Sequence, residues 1–295
     1  MRATQTLVDQ MGWVFARPGL TLLEIAWRWI FGIPLLMVCA LQIARILRAV
    51  PPDSTGWSNL DTQNPWVAMV QLVDVWSHYQ PLVAALLVWL VPVAALAWVI
   101  ISGVGRNLVI RRVEPGAAFR PMTVIALQAV WIVLLGLTFW CWYHSIQWVA
   151  ATHILPSGES DLVGYFIWSI FLSLGFFSLW AVISYPVAIA PLLALLERCG
   201  PGVALARSLT LGREFTSRLI EVNLVMGIAR LGIIVLAMVF SAAPLPFSDK
   251  FGPGVLRAVA AASLVFYLVA NDYFQVVRIK SFIQFRGIFR VTARK

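Results

Sequence analysis

Residues 163–196 contain no Asp, Glu, Lys or Arg. At ~1.5 Å per helical residue, such a run is longer than the ~30 Å hydrocarbon core of a bilayer. Lipid offers the backbone no hydrogen bonds, so the chain must bond to itself, and the run is predicted to be a membrane-crossing helix. Its surplus length requires tilt, a bend at Pro186 or Pro191, or projection beyond the bilayer. The run ends at a polar hinge, Glu197 to Gly202, and the rest of the chain reads as apolar spans joined by short loops.

Similar runs place spans at about 20–43, 81–102, 121–143, 163–196, 219–239 and 254–274. Apolar residues make up 61% of the chain and charged ones only 12%, whereas about a quarter of a soluble domain is charged. The predicted fold class is therefore all-α, a polytopic integral membrane protein with about six transmembrane helices plus short amphipathic in-plane helices. It forms a single transmembrane domain over 1–295, closed by a basic tail at 275–295. Leu7, Val8, Met11, Val14 and Phe15 recur at helical spacing opposite Thr4, Thr6, Asp9 and Gln10, which predicts an in-plane helix over 3–16. Trp66, Met69, Val70, Val73 and Trp76 predict a second over 65–79. A third is expected over 204–219, with Arg207, Thr210, Arg213, Glu214, Ser217 and Arg218 opposite Leu205, Leu209, Leu211, Phe215 and Leu219.

The net charge of +9 could suggest nucleic acid, but the bases are distributed as membrane insertion distributes them, and no nucleic-acid partner is expected. With both ends inside, the inner segments carry 16 Lys and Arg and the outer segments carry four, Arg45, Arg48, Lys250 and Arg257. An even number of spans independently requires both ends on one side. Both termini are thus expected in the cytoplasm. The first long apolar run lacks a small-residue cleavage site, so no cleaved signal peptide is expected. Cys39, Cys141 and Cys199 are widely spaced, without a CxxC pair, and read as small apolar fillers.

Arg230 is the most informative single residue. Eleven residues into span 5, it would lie ~16 Å deep, where a cation costs ~2.5–3.5 kcal/mol on the insertion scale. A partner or a polar cavity is therefore expected. The candidates are Glu24, Glu221 and Asp272, or Gln128, Ser173 and Tyr267 on neighbouring spans. Glu24 and Arg28 lie one turn apart in the favourable acid-first order. Arg230, Glu24, Arg28 and Asp272 together form the expected intramembrane polar site. The alternative is that Arg230 makes a structural bond that fixes span packing.

Further bases are expected at lipid headgroups: Arg207, Arg213 and Arg218 on the connector, and Arg278, Lys280, Arg286 and Arg290 in the tail, where they alternate with Phe282, Ile283, Phe285, Ile288 and Phe289. On an anionic inner leaflet each surface base adds ~1 kcal/mol.

Catalytic and cofactor signatures are missing. His78, His144 and His153 fall on the predicted outer side, but no HxxxH, HExxH or CxxC spacing accompanies them, so neither metal nor other cofactor is expected. Asp74, Ser77 and His78 are close in sequence but lack a nucleophile elbow. Gly103-Val104-Gly105 is a lone GxG rather than a phosphate loop. The chain is not expected to be an enzyme.

The segment from Leu196 to Arg213 carries a denser pattern. An acidic residue, Glu197, ends a long span; Ala204, Leu205, Arg207 and Ser208 follow, then Leu211, Gly212 and Arg213. This pattern resembles a signature of a large family of bacterial six-span membrane proteins, which includes the membrane portion fused to some glycerophosphoryl diester phosphodiesterases. The match covers roughly residues 186–219. It implies a six-span protein of the bacterial inner (cytoplasmic) membrane. It implies no phosphodiesterase activity, because the catalytic domain has no counterpart here.

Together these features predict a non-enzymatic integral membrane protein acting through lipid or protein-partner contacts, an accessory subunit of a membrane complex among the options. The expected partners are membrane lipids of the anionic inner leaflet, and membrane-protein partners or a second copy of the chain. The alternative is a small transporter or permease subunit with a polar path around Arg230.

Overall fold

The computed structural model describes residues 3–57, 64–154, 161–210, 213–242 and 252–292. Among the described residues the regular structure is helical throughout: α1 (Ala3–Phe15), α2 (Pro18–Ala49), a single 3-10 turn (Pro52–Ser54), α3 (Pro65–Val113), α4 (Pro121–His153), α5 (Leu162–Glu197), α6 (Pro201–Leu209), α7 (Arg213–Ala242) and α8 (Pro253–Thr292). Six of these helices contain stretches long and apolar enough to cross a membrane: Pro18–Ala49, Gln71–Val113, Pro121–His153, Leu162–Glu197, Glu221–Ala242 and Pro253–Phe285. The all-α, six-span expectation is met.

Two element boundaries differ from the sequence reading. Residues 65–79 do not form a separate in-plane helix but open the 49-residue α3, which continues through Pro81 and Pro92. A proline inside a helix costs one backbone bond, which in a membrane neighbouring groups can replace, so helices there pass through proline more readily than in water. The connector differs in the opposite sense. α6 ends at Leu209 with Thr210 as its C-cap, and α7 begins at Arg213, so the polar and apolar arcs expected over 204–219 do not share one helix.

The chain divides into two compact units. The first, residues 27–101, is a hairpin of most of α2 with most of α3. Its contacts are apolar and aromatic: Trp98 packs against Trp27 at 5.7 Å and edge-on against Phe31 at 5.1 Å between ring centroids. At the other end of the hairpin the Tyr79 hydroxyl donates to the Val50 carbonyl at 3.2 Å. A shallow groove of about 200 Å³ between the two helices is lined only by apolar side chains, among them Phe31, Pro34, Trp89 and Val93.

The second unit, residues 1–26 with 102–295, holds α1, the start of α2, the end of α3, and α4–α8. Its packing falls into two groups. α4, α5 and α6 pack on one another, and α7, α8 and α1 pack on one another. In the first group Ala190, Ala194 and Ala204 are fully buried around Leu127, with Cys199 and Leu205 against them. Small side chains let helices approach closely where lipid supplies no hydrophobic push. The end of α3 uses the same device: a Cβ on Gly103 would stand 2.9 Å from the Ile125 Cα of α4. The GxG is thus a helix-packing contact.

In the second group α1 lies on α8, with Leu7, Gln10 and Val14 buried while Val8 and Phe15 are exposed. The apolar face expected over residues 3–16 is therefore split, one edge turned to protein and the other outward. The Tyr273 hydroxyl donates to the Met11 carbonyl at 2.8 Å, and Trp13 takes a cation on its ring from both Arg17 (4.1 Å) and Lys280 (4.5 Å).

Candidate functional site

The two helix groups of the larger unit face each other across a cavity of about 640 Å³. Its wall carries three arginines from three helices: Arg106 on α3, Arg230 on α7 and Arg278 on α8. Neutral polar groups stand among them: Gln128 on α4, Ser184 and Tyr185 on α5, and Asn223 on α7. The rest is aromatic and aliphatic: Trp131, Phe177, Trp180, Phe282, Met226, Val187 and Ile189. Trp131 and Trp180 meet edge to face at 5.5 Å, tying α4 to α5 at the apolar side. Among the described residues, no Asp, Glu or His lines this cavity.

Helical spacing brings these residues together. On α5, Phe177, Ala181, Ser184 and Ala188 follow each other at three- and four-residue steps and so form one stripe along the helix. Phe177, Ala181 and Ala188 are exposed, as is Gly227 on α7. Exposed residues running along the helix axes at the cavity's edge make it open sideways, toward the surroundings of the bundle. Pro186 and Pro191 lie in the same stretch of α5 and withhold the N–H groups that would bond the Val182 and Val187 carbonyls.

Arg230 is held by an amide. Its guanidinium donates to the Gln275 Oε1 of α8 at 3.2 Å, and Gln275 is itself buried. Arg278, one turn beyond Gln275, lines the same cavity. Arg230 and Gln275 both lie inside stretches long and apolar enough to cross a membrane, Glu221–Ala242 and Pro253–Phe285. A cation within a span needs a partner or a polar cavity, and Arg230 has the Gln275 amide beside it and a cavity before it.

The expected polar site is only partly assembled. Arg230 lines the cavity, whereas Glu24 and Asp272 are buried, at 1% and 3% exposure, without lining it. Asp272 lies one turn before Gln275 on α8. Arg28 belongs to the hairpin unit, where its guanidinium stands 5.4 Å from the Trp27 ring. Of the partners expected for Arg230, Gln128 shares its cavity. Ser173 instead accepts from the Trp142 indole at 3.0 Å, and Tyr267 lines a different, mostly apolar pocket between α7 and α8.

The bases expected at headgroups also separate. Arg278 turns into the cavity. Lys280, two residues on and so on the opposite side of α8, caps Trp13. Arg207 is ion-paired with Glu197, whose hydrogen bond and charge raise the guanidinium further above its usual range. The side chains of Arg213, Arg218, Arg286 and Arg290 lie outside the described residues.

The signature segment thus has a local physical meaning. Arg198 takes a left-handed φ of 56°, the Cys199 N–H bonds back to the Ala194 carbonyl at 3.2 Å, and α5 ends there. Pro201 at the start of α6 sets the return, Ala204 and Ser208 face the α4–α5 pair, and the Glu197–Arg207 ion pair ties the helix down.

Weaker sequence motifs dissolve. The Ser77 hydroxyl donates to the Asp74 carbonyl at 2.6 Å and the His78 ring meets the same backbone oxygen at 2.9 Å, so the Asp74 carboxylate organises neither. His144 meets the Trp140 ring edge to face at 4.5 Å, and His153 pairs with Asp161 at 3.2 Å. Among the described residues, no three His, Cys, Asp or Glu side chains gather as a metal site would require.

Sequence reasoning missed Gln275 and Arg106. Gln275 falls one residue past the predicted span at 254–274, and Arg106 falls past the predicted span at 81–102 although α3 carries it as a helical residue. The available signal was the Asp272, Gln275, Arg278 series at three-residue steps, a polar stripe on one helix face. No protein-family model matches the chain, and no curated protein or solved structure matches it either.

Proposed function

We propose that the protein binds an acidic lipid, taking its headgroup into the cavity of Arg106, Arg230 and Arg278 and leaving the acyl chains against the aromatic wall and the bilayer. One observation carries this reading: three arginines from three helices converge on one partly apolar cavity that opens sideways. Guanidinium forks match phosphate oxygens in geometry and charge, and basic pockets between transmembrane helices are where acidic headgroups bind. The apolar residues beside them suit the glycerol and upper acyl chain, which a soluble anion lacks.

In this reading the protein acts through lipid contact rather than catalysis, and the basic helix ends face the cytoplasm, where the anionic leaflet of a bacterial inner membrane lies. The excess of Lys and Arg on those ends supports that orientation. The resemblance of residues 186–219 to a bacterial six-span family points to the same membrane. Translocation is the second reading, favoured by the two prolines in the α5 wall of a cavity that reaches Arg230. It requires the bound lipid to cross to the other leaflet.

The test is lipid mass spectrometry on the full chain extracted into nanodiscs from its own membrane. Acidic lipid should be enriched over the bulk composition, and R106Q/R230Q/R278Q should abolish that enrichment while keeping the melting temperature within a few degrees. Lipid on the intact chain that mirrors the bulk membrane would end the proposal. Reconstitution with fluorescent acidic lipid separates the two readings, since only translocation moves label between leaflets.

A further inference from the structure

Resting on that reading, we infer that the cavity selects lipids whose headgroup ends in a terminal phosphate over lipids whose phosphate is a diester. The argument is one of charge and donor count. A phosphodiester headgroup carries one negative charge and two free oxygens, which one or two guanidinium groups saturate. A terminal phosphate carries about −1.5 to −2 at neutral pH and three acceptor oxygens. Arg106, Arg230 and Arg278 offer three positive charges from three directions, and the neutral donors Gln128 and Asn223 stand beside them.

The wall also selects against the commonest zwitterionic headgroups. An ammonium group needs a carboxylate or an aromatic box beside the phosphate site, and among the described residues no carboxylate lines the cavity. Of the aromatic wall residues, Trp131 and Trp180 meet each other edge to face, and the three arginines of the same wall repel an ammonium group. The cavity is thus built for added negative charge on the ligand.

This selection has a pH signature. The second ionisation of a phosphomonoester lies near pH ~6, so its extra charge appears between pH ~5 and ~8, whereas a diester keeps one charge throughout. The ionisable wall residues are Arg106, Arg230, Arg278 and Tyr185. Guanidinium and phenol groups hold one charge state over that range. Glu221 on α7 and Asp272 on α8 are carboxylates carried by the flanking helices, and the phosphodiester lipid, whose own charge is fixed, reports any change they make to the site between pH ~5 and ~8.

The experiment uses the full chain in nanodiscs of phosphatidylcholine and follows quenching of its tryptophans by brominated phosphatidate, brominated phosphatidylglycerol or brominated phosphatidylcholine. At pH 8 phosphatidate should bind ~10-fold more tightly than phosphatidylglycerol, the ratio falling to ~2 by pH 5 as the second proton returns. R106Q/R230Q/R278Q, which removes the three positive charges, should flatten that pH dependence and lose the preference of both acidic lipids over phosphatidylcholine. Equal binding of the two acidic lipids, with both above phosphatidylcholine, would overturn the selection and leave acidic-lipid binding standing. Equal binding of all three would overturn both. Displacement of phosphatidate by an equal concentration of inorganic phosphate would make the ligand a soluble phosphate and overturn the lipid assignment.

Discussion

The two units solve the same problem, packing helices in lipid, by different means. The hairpin of residues 27–101 is held by Trp27, Phe31 and Trp98 and encloses an apolar groove. The larger unit buries Gln10, Glu24, Ser102, Asn107, Gln128, Asp272 and Gln275 among its helices and opens a cavity walled by three arginines. A buried polar group in hydrocarbon is costly, and a helix bundle has no packing need for so many. Of the larger unit's buried polar residues, Gln128 lines the cavity with the three arginines and belongs to the proposed binding site, whereas the hairpin groove offers no polar side chain. Function should therefore be separable from stability along this division.

The sharpest break is in binding. R106Q/R230Q/R278Q should lower acidic-lipid enrichment by more than tenfold, each guanidinium–phosphate contact being worth ~1.5–3 kcal/mol. In the hairpin, Trp98→Ala should lower the melting temperature and leave the lipid profile unchanged. Loss of enrichment in W98A would mean that the division is not functional.

Glycine substitutions probe packing in the same two places. Gly103→Leu would drive a side chain into Ile125, whose Cα stands 2.9 Å from the added Cβ. Overpacking of this kind costs ~1–3 kcal/mol or more, and a clear drop in melting temperature is expected. Gly32→Ala in the hairpin meets nothing within 4 Å and removes a flexible helix position, so thermal stability should rise by ~0.5–1 kcal/mol.

Asn107 tests whether a buried polar group off the cavity wall is dispensable. It is fully buried, and neither its amide nitrogen nor its amide oxygen has a hydrogen-bond partner among the described residues. Replacing such a group with an apolar one of similar size removes a penalty of ~1–3 kcal/mol. Asn107→Leu should raise the melting temperature without touching lipid binding.

The smallest effect is expected at Asp161, which caps α5. Its carboxylate accepts the Gly164 N–H at 2.9 Å, and that bond first, with His153 assisting, holds its pKa below the usual 3.8. A depressed carboxylate pKa means stabilisation that is complete above the usual value and fades as pH falls through the folded-state value. Between pH 4 and pH 2 the melting temperature of the native chain should therefore fall slightly more than that of Asp161→Ala, with parallel curves above pH 5.

Much of the architecture was legible because length and apolarity dictate it. No other structure satisfies a backbone across uncharged runs like 163–196. The in-plane helix at 65–79 failed because a membrane helix passes through Pro81, so the proline did not mark a boundary. Reading the connector as one helix failed at Thr210, whose hydroxyl bonds back to the Ala206 carbonyl at 3.2 Å as the first helix ends. The cavity was half legible. Arg230 announced itself by cost alone, but its bond to Gln275 depends on the register between α7 and α8, which no single helix encodes. Arg278 and Lys280 looked equivalent in sequence, yet two residues of a helix turn them to opposite sides, one to the cavity and one to Trp13.

The most direct measurement places a photo-crosslinking side chain at Ala181, exposed at the cavity's edge, in the full chain within native membranes, and identifies the captured lipid by mass. Predominantly acidic adducts that disappear in R106Q/R230Q/R278Q are the expected result. Adducts that follow the bulk lipid composition and survive those substitutions would contradict the proposal that this cavity is a binding site.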